Sequence, residues 1–131
     1  MNVSFTPMEF RRLLDLVYIG NWIMNSTRGA DRFHDYDKLM SKLFALSPAL
    51  SQQLGGITIP STEYMEGGIH EVISYYEDNV FFEILAEELS RRDMEYPDIT
   101  EENYDEISGR MDKYMQEFET NGLDHVILEE G

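Results

Sequence analysis

Thr6-Pro7-Met8-Glu9-Phe10-Arg11-Arg12-Leu13-Leu14-Asp15-Leu16-Val17-Tyr18-Ile19-Gly20-Asn21-Trp22-Ile23-Met24 is the stretch whose reading decides the fold. Thr6 supplies a capping oxygen, Pro7 takes the first helical position and Glu9 stands three residues after the cap, so a helix starts here. Phe10, Leu13, Leu14, Val17 and Met24 share one face, while Leu16, Ile19, Trp22 and Ile23 populate the opposite side. A helix apolar nearly all round is usually packed on more than one side. The run Leu13 to Met24 carries Asp15, Gly20 and Asn21 and is shorter than the roughly 20 apolar residues of a membrane span. It is expected to be a buried helix that ends near Asn25 to Gly29.

Working outward, the spacing predicts a second helix from about Asp31 to Ser47. Phe33, Tyr36, Met40, Leu43 and Phe44 lie on one face, flanked by Leu39 and Leu46. Ser47-Pro48 stops it and can cap a short extra helix over 48–54, which Gly55-Gly56 would end. Residues 55–68 read as an irregular connection, with Ile57-Thr58-Ile59-Pro60 a short β-like run limited by its proline. A third helix is predicted from Ile69 to Met94, with Ile69, Ile73, Tyr76, Val80, Ile84, Leu85 and Leu89 facing inward and Phe81 near its centre. Tyr96-Pro97 ends it. Asp98 or Thr100 caps a fourth helix, in which Tyr104, Ile107, Met111, Tyr114 and Phe118 step by three and four, the seam helices use against each other. Asn121-Gly122 stops it, and Leu123 to Leu128 is apolar enough to dock as a last helix or strand. The expectation is an all-α, compact four-helix, bundle-like fold over residues 1–131, a single helical domain.

Charge divides the chain unevenly. Residues 1–60 hold six basic and five acidic side chains, whereas residues 61–131 hold four basic and twenty-one acidic ones. Such asymmetry bears on partners rather than on fold. The 12% aromatic content argues against disorder, because disordered chains are poor in aromatic and branched side chains. Cysteine is absent, which excludes a disulfide framework and a thiolate metal site. With no basic-then-apolar leader at the start, the expected location is the cytoplasm, away from the membrane.

Candidate chemistry thins out on inspection. His34, Asp35 and Asp37 cluster at the start of the second helix, and His70, Glu71 and Glu77 at the start of the third. Helical di-metal carboxylate sites need Glu three residues before His, and neither His34 nor His70 has one. His34-Asp35 resembles the His-Asp dyad of metal-dependent phosphohydrolases, but three histidines in all leave too few further ligands. Gly67-Gly68 before a helix could offer N–H groups to an anion, and Glu66 and Glu71 oppose that. A nucleophile elbow, a phosphate loop and a dinucleotide fingerprint are missing. No catalytic residue, cofactor or metal ligand is expected. Direct nucleic-acid binding is disfavoured, because the acidic half repels phosphates.

The text from Tyr75 to Asp93, in which aromatic pairs precede a Glu-Ile-Leu-Ala-Glu run and a closing Arg-Asp, resembles a helix found in small bacterial proteins. The resemblance implies a helical protein and brings no activity with it. Adjacent aromatics such as Phe81-Phe82 cannot point the same way, so this helix is expected to present a second face. The reading that follows is a non-enzymatic accessory or regulatory protein acting through protein–protein contact, with another protein or itself as a homodimer. Tyr75, Phe82, Glu101, Asp105, Asp112, Leu123 and Ile127 are the candidate interaction surface. One alternative is a small-ligand binder or enzyme with a pocket between helices around Trp22, Tyr76 and His70. Another is an acidic nucleic-acid mimic, since the second half is similar in composition to small phage- and plasmid-borne inhibitors of restriction and CRISPR enzymes.

Overall fold

A computed structural model of the chain describes residues 1–129 and is mostly helical, with a small two-stranded sheet. The chain divides into two compact units, Met1–Ile73 and a second from Ser74 onward.

The first unit begins with α1, Pro7–Asn25, and its start is the capping box the sequence spelled. The Thr6 hydroxyl accepts from the Glu9 N–H at 3.1 Å, and the Glu9 carboxylate accepts from the Thr6 N–H at 2.9 Å. The Thr6 N–H, with the Thr6 hydroxyl beside it, holds the Glu9 carboxyl below its ordinary range. The buried side of α1 is Leu14, Tyr18, Asn21 and Asn25, spaced four, three and four. Of the residues expected on the opposite side, Ile19 packs against the core, whereas Leu16 and Ile23 are exposed. α2, His34–Phe44, packs against α1 and contributes the fully buried Phe44. It is shorter than expected, because Asp31 is drawn into a turn by the Gly29 N–H and the Arg28 guanidinium.

The expected extra helix over 48–54 is overturned, and with it the strictly all-α reading. Pro48–Leu50 is a single 3-10 turn, and Ser51–Leu54 is a strand, β1. It pairs antiparallel with β2, Ile57–Pro60, placing Gln52 opposite Ile59 and Gln53 opposite Thr58. Gly55 and Gly56 both have positive φ, 58° and 81°, as a two-residue hairpin turn that follows the strand twist demands. The pair that reads as a helix stop is therefore a hairpin turn. Residues 55–68, expected to be irregular, contain this strand and two helical turns. Ser61 caps the turn Thr62–Tyr64, and a wider π-type turn, Met65–Ile69, follows. Gly68 breaks the helical path at φ 109°, which glycine adopts without a Cβ penalty. Leu14, Tyr18, Phe44, Tyr64, Ile69 and Ile73 form the core of this unit. Burying a Leu14 or a Phe44 contributes about 1.5–3 kcal/mol each.

α3 runs His70–Asp93, within a residue of the expected bounds. In the second unit it contributes the buried Ala86 and Ser90, whose hydroxyl donates to the Ala86 carbonyl at 2.7 Å. The expected inward face is corrected: Tyr76, Phe81 and Ile84 are exposed. Phe82 packs instead, with its ring 5.3 Å from Phe118. α3 ends in a Schellman arrangement, in which the Tyr96 N–H reaches the Arg91 carbonyl at 2.7 Å and the Glu95 N–H the Arg92 carbonyl at 2.9 Å. α4, Tyr104–Asn121, buries Ile107 and Phe118 from the expected seam and leaves its first member, Tyr104, exposed. Thr100 and Asn103 bond reciprocally ahead of it, at 2.8 and 3.3 Å. The apolar tail does not dock as a helix or strand. Leu123 is about half exposed, and Ile127 and Leu128 are 80% and 93% exposed.

Candidate functional site

In the second unit, the last residue of α3 and one face of α4 enclose an open groove of about 650 Å³. Helical spacing builds its floor, because Glu106, Gly109, Lys113 and Glu117 step by three and four along α4. Asp105 adds a carboxylate from the first turn. Glycine at 109 leaves the floor open, with nothing within 4 Å of where a Cβ would stand.

The rim is an ordered network. The Tyr114 hydroxyl donates to Asp93, which also pairs with Arg92 at 2.9 Å. The tyrosine bond, with the guanidinium beside it, holds the Asp93 carboxyl below its ordinary range. The same bond, reinforced by burial, pushes the Tyr114 phenol up. Glu106 pairs with Arg110 at 3.1 Å. Glu117 accepts from Asn121 at 2.9 Å and contacts the His125 ring at 2.6 Å. The groove thus presents four carboxylates, Asp93, Asp105, Glu106 and Glu117, beside the Arg110 guanidinium and the Lys113 ammonium. Its chemistry suits hydrogen bonds and ion pairs with a basic, donor-rich surface.

Of the sequence candidates, Asp105 alone lines this groove. Glu101 lies exposed in the turn before α4, and Asp112 is exposed on α4 away from the groove. Tyr75 is 73% exposed, and Leu123 and Ile127 are exposed beyond the helix. Phe82 is half-buried against Phe118, with a smaller hollow of about 230 Å³ beside the pair. Sequence reasoning missed Asp93, Arg110, Lys113, Tyr114 and Glu117. Tyr114 reads as a seam residue and Asp93 as a helix ending. The recoverable signal is the Glu106–Arg110 pair at four residues and the Glu106-Gly109-Lys113-Glu117 spacing.

The first unit holds the aromatic cluster of the ligand-pocket alternative. The Tyr18 hydroxyl and the His70 Nε2 are 2.6 Å apart, and Trp22 meets the His70 ring edge-on at 4.9 Å. Burial pushes the Tyr18 phenol up. Tyr64 donates to Asp15 at 2.7 Å beneath the Arg11 guanidinium, and burial followed by that bond pushes its phenol up as well. Rings at these separations are packed against each other. Tyr76 belongs to the second unit and is exposed.

A second polar network joins α1 to α2. The buried Asn25 accepts from the Phe33 N–H at 2.8 Å and donates to Asn21 at 2.7 Å and to the Phe33 carbonyl at 3.1 Å. Asn21 donates to Asp37, which Arg32 grips with two nitrogens at 2.9 and 3.0 Å. Beside it, His34, Lys38 and Thr58 border a hollow of about 680 Å³. Asp37 is thereby engaged by Arg32 and Asn21. Among the described residues no three histidine or carboxylate side chains converge as metal ligands. Among the same described residues no helix is long and apolar enough to cross a membrane. No protein-family model, curated protein or solved structure matches this chain.

Proposed function

We propose that the chain is a non-enzymatic accessory or regulatory protein that works by protein–protein contact, with the acidic second unit as its contact surface. One observation carries this reading. From Ser74 onward the sequence has eighteen acidic and four basic side chains. Three of the four bases are already spent within the unit, Arg91 on Glu88, Arg92 on Asp93 and Arg110 on Glu106. The surplus carboxylates face water, where their field steers and binds a positively charged surface. Exposed Tyr75, Leu123 and Ile127 supply apolar anchors among them, the pairing of charge and apolar contact that interfaces use.

The partner class is a basic protein surface. The test is capture from the source cell, followed by titration of the captured partner in rising salt. Affinity is expected to fall at least about tenfold between roughly 50 and 500 mM NaCl, where the Debye length shrinks from about 14 to 4 Å. The double variant Glu106→Lys, Glu117→Lys should weaken binding further at low salt. Affinity indifferent to both changes would remove the proposal.

A further inference from the structure

We propose that the hollow between α2 and the hairpin binds a phosphate monoester, its phosphate held by Lys38 and His34 and its organic body resting on Ile57. The inference is independent of the partner reading above, since every residue it uses lies in the first unit. His34, Lys38 and Ser41, spaced four and three, share one side of α2 and form one wall of the hollow. Gly56, Ile57 and Thr58 of the hairpin form the other. At about 680 Å³ the space has the size of a small-ligand site.

Three observations select the chemistry of the ligand. Charge is the first. In a chain with 26 acidic side chains and 10 basic ones, all the arginines pair with a carboxylate. Lys38 takes part in none of the ion pairs among the described residues. Asp37, the carboxylate that borders the hollow, is already engaged: its Oδ1 accepts from Arg32 and Asn21, and its Oδ2 accepts from Arg32. Asp35, in the same turn as His34, does not border the hollow. The Lys38 ammonium therefore keeps an uncompensated charge there. The second observation is the number of donors. An ammonium, an imidazole and the hydroxyls of Ser41 and Thr58 approach from both walls. The Thr58 hydroxyl accepts from Gln53 at 2.7 Å, which leaves its own hydrogen for another acceptor. Four donor groups suit the three oxygens of a phosphate better than the two of a carboxylate. The third observation is apolar. Ile57 is 61% exposed beside these donors, and at Gly56 nothing stands within 4 Å of where a Cβ would be. A bare oxyanion leaves that surface wet, whereas the body of a monoester covers it.

Amide chemical shifts of the full chain, titrated with phenyl phosphate, inorganic phosphate and benzoate at fixed pH and ionic strength, test this. Phenyl phosphate is expected to saturate with a Kd on the order of 1 mM, at least about threefold tighter than inorganic phosphate. The shifts should centre on His34, Lys38, Ile57 and Thr58, spanning both walls. Lys38→Gln should weaken phenyl phosphate about tenfold by removing a charge-assisted hydrogen bond. Its helical circular dichroism should stay unchanged, because the side chain is exposed. Thr58→Val should weaken binding about threefold, as a neutral hydrogen bond does. Lys42→Gln removes the same charge one turn further along α2, outside the hollow, and should cost less than about twofold at physiological salt. No saturation by about 20 mM phenyl phosphate would overturn the proposal. So would shifts confined to α2, equal losses from Lys38→Gln and Lys42→Gln, or benzoate bound as tightly as phenyl phosphate.

Discussion

Asp37 shows what one side chain can hold together. Its carboxyl lies below the ordinary range chiefly because Arg32 donates to it, with the Asn21 amide and the Arg32 charge adding to the effect. A carboxyl whose pKa is depressed in the folded state contributes stability that is present above its unfolded value, and that stability is lost as pH falls through the folded value. The window therefore opens near pH 4 and extends downward. Asp37→Asn is expected to lower unfolding free energy at neutral pH by about 1–3 kcal/mol, since it leaves Arg32 and the buried Asn21 short of an acceptor. It should also flatten the acid limb of the stability curve below about pH 4. Urea denaturation at neutral and acidic pH measures both. A variant as stable as wild type at pH 7 would mean the network is decorative. None of these partners was legible in the sequence, where Asn21 interrupts an apolar run and Asp37 reads as one member of a His-Asp cluster. Only the approach of Phe33 to α1 gives them their roles.

At the scale of elements, α1 divides cleanly between a start that local chemistry fixes and a side that packing chooses. Thr6 and Glu9 satisfy each other's backbone within four residues, so the start was readable. The apolar content was readable too, but it spreads around the helix, and periodicity could not say which side would meet α2. Leu14→Ala is expected to cost about 2–5 kcal/mol, because the side chain is fully buried in the core. Leu16→Ala, two residues away and exposed, should fall within about 0.5 kcal/mol of wild type. Equal costs for the two would place the core on the wrong face of α1. The hairpin makes the complementary point. Ile57-Thr58-Ile59 showed its strand character through β-branching, whereas Ser51-Gln52-Gln53-Leu54 has none and becomes a strand only by pairing with it.

Across the whole molecule the dominant quantity is a net charge of −16 on 131 residues. Carboxylates crowded on one unit repel each other, and salt relieves that repulsion over the Debye length. Melting temperature is expected to rise by roughly 3–6 °C between about 20 and 500 mM NaCl, a stabilisation near 1 kcal/mol. A melting temperature that falls with salt would show that pairs such as Arg32–Asp37 outweigh the repulsion. The acidity, the capping box, the four helices and most of their ends were determined by the sequence alone, because each depends on neighbours within about one helical turn. The hairpin partner, the solvent-facing side of α1, the packing of Phe82 rather than Phe81 and the groove joining Asp93 to α4 were decided by tertiary structure. Each of these depends on a contact between residues distant along the chain, and the local pattern of side chains is compatible with more than one such contact.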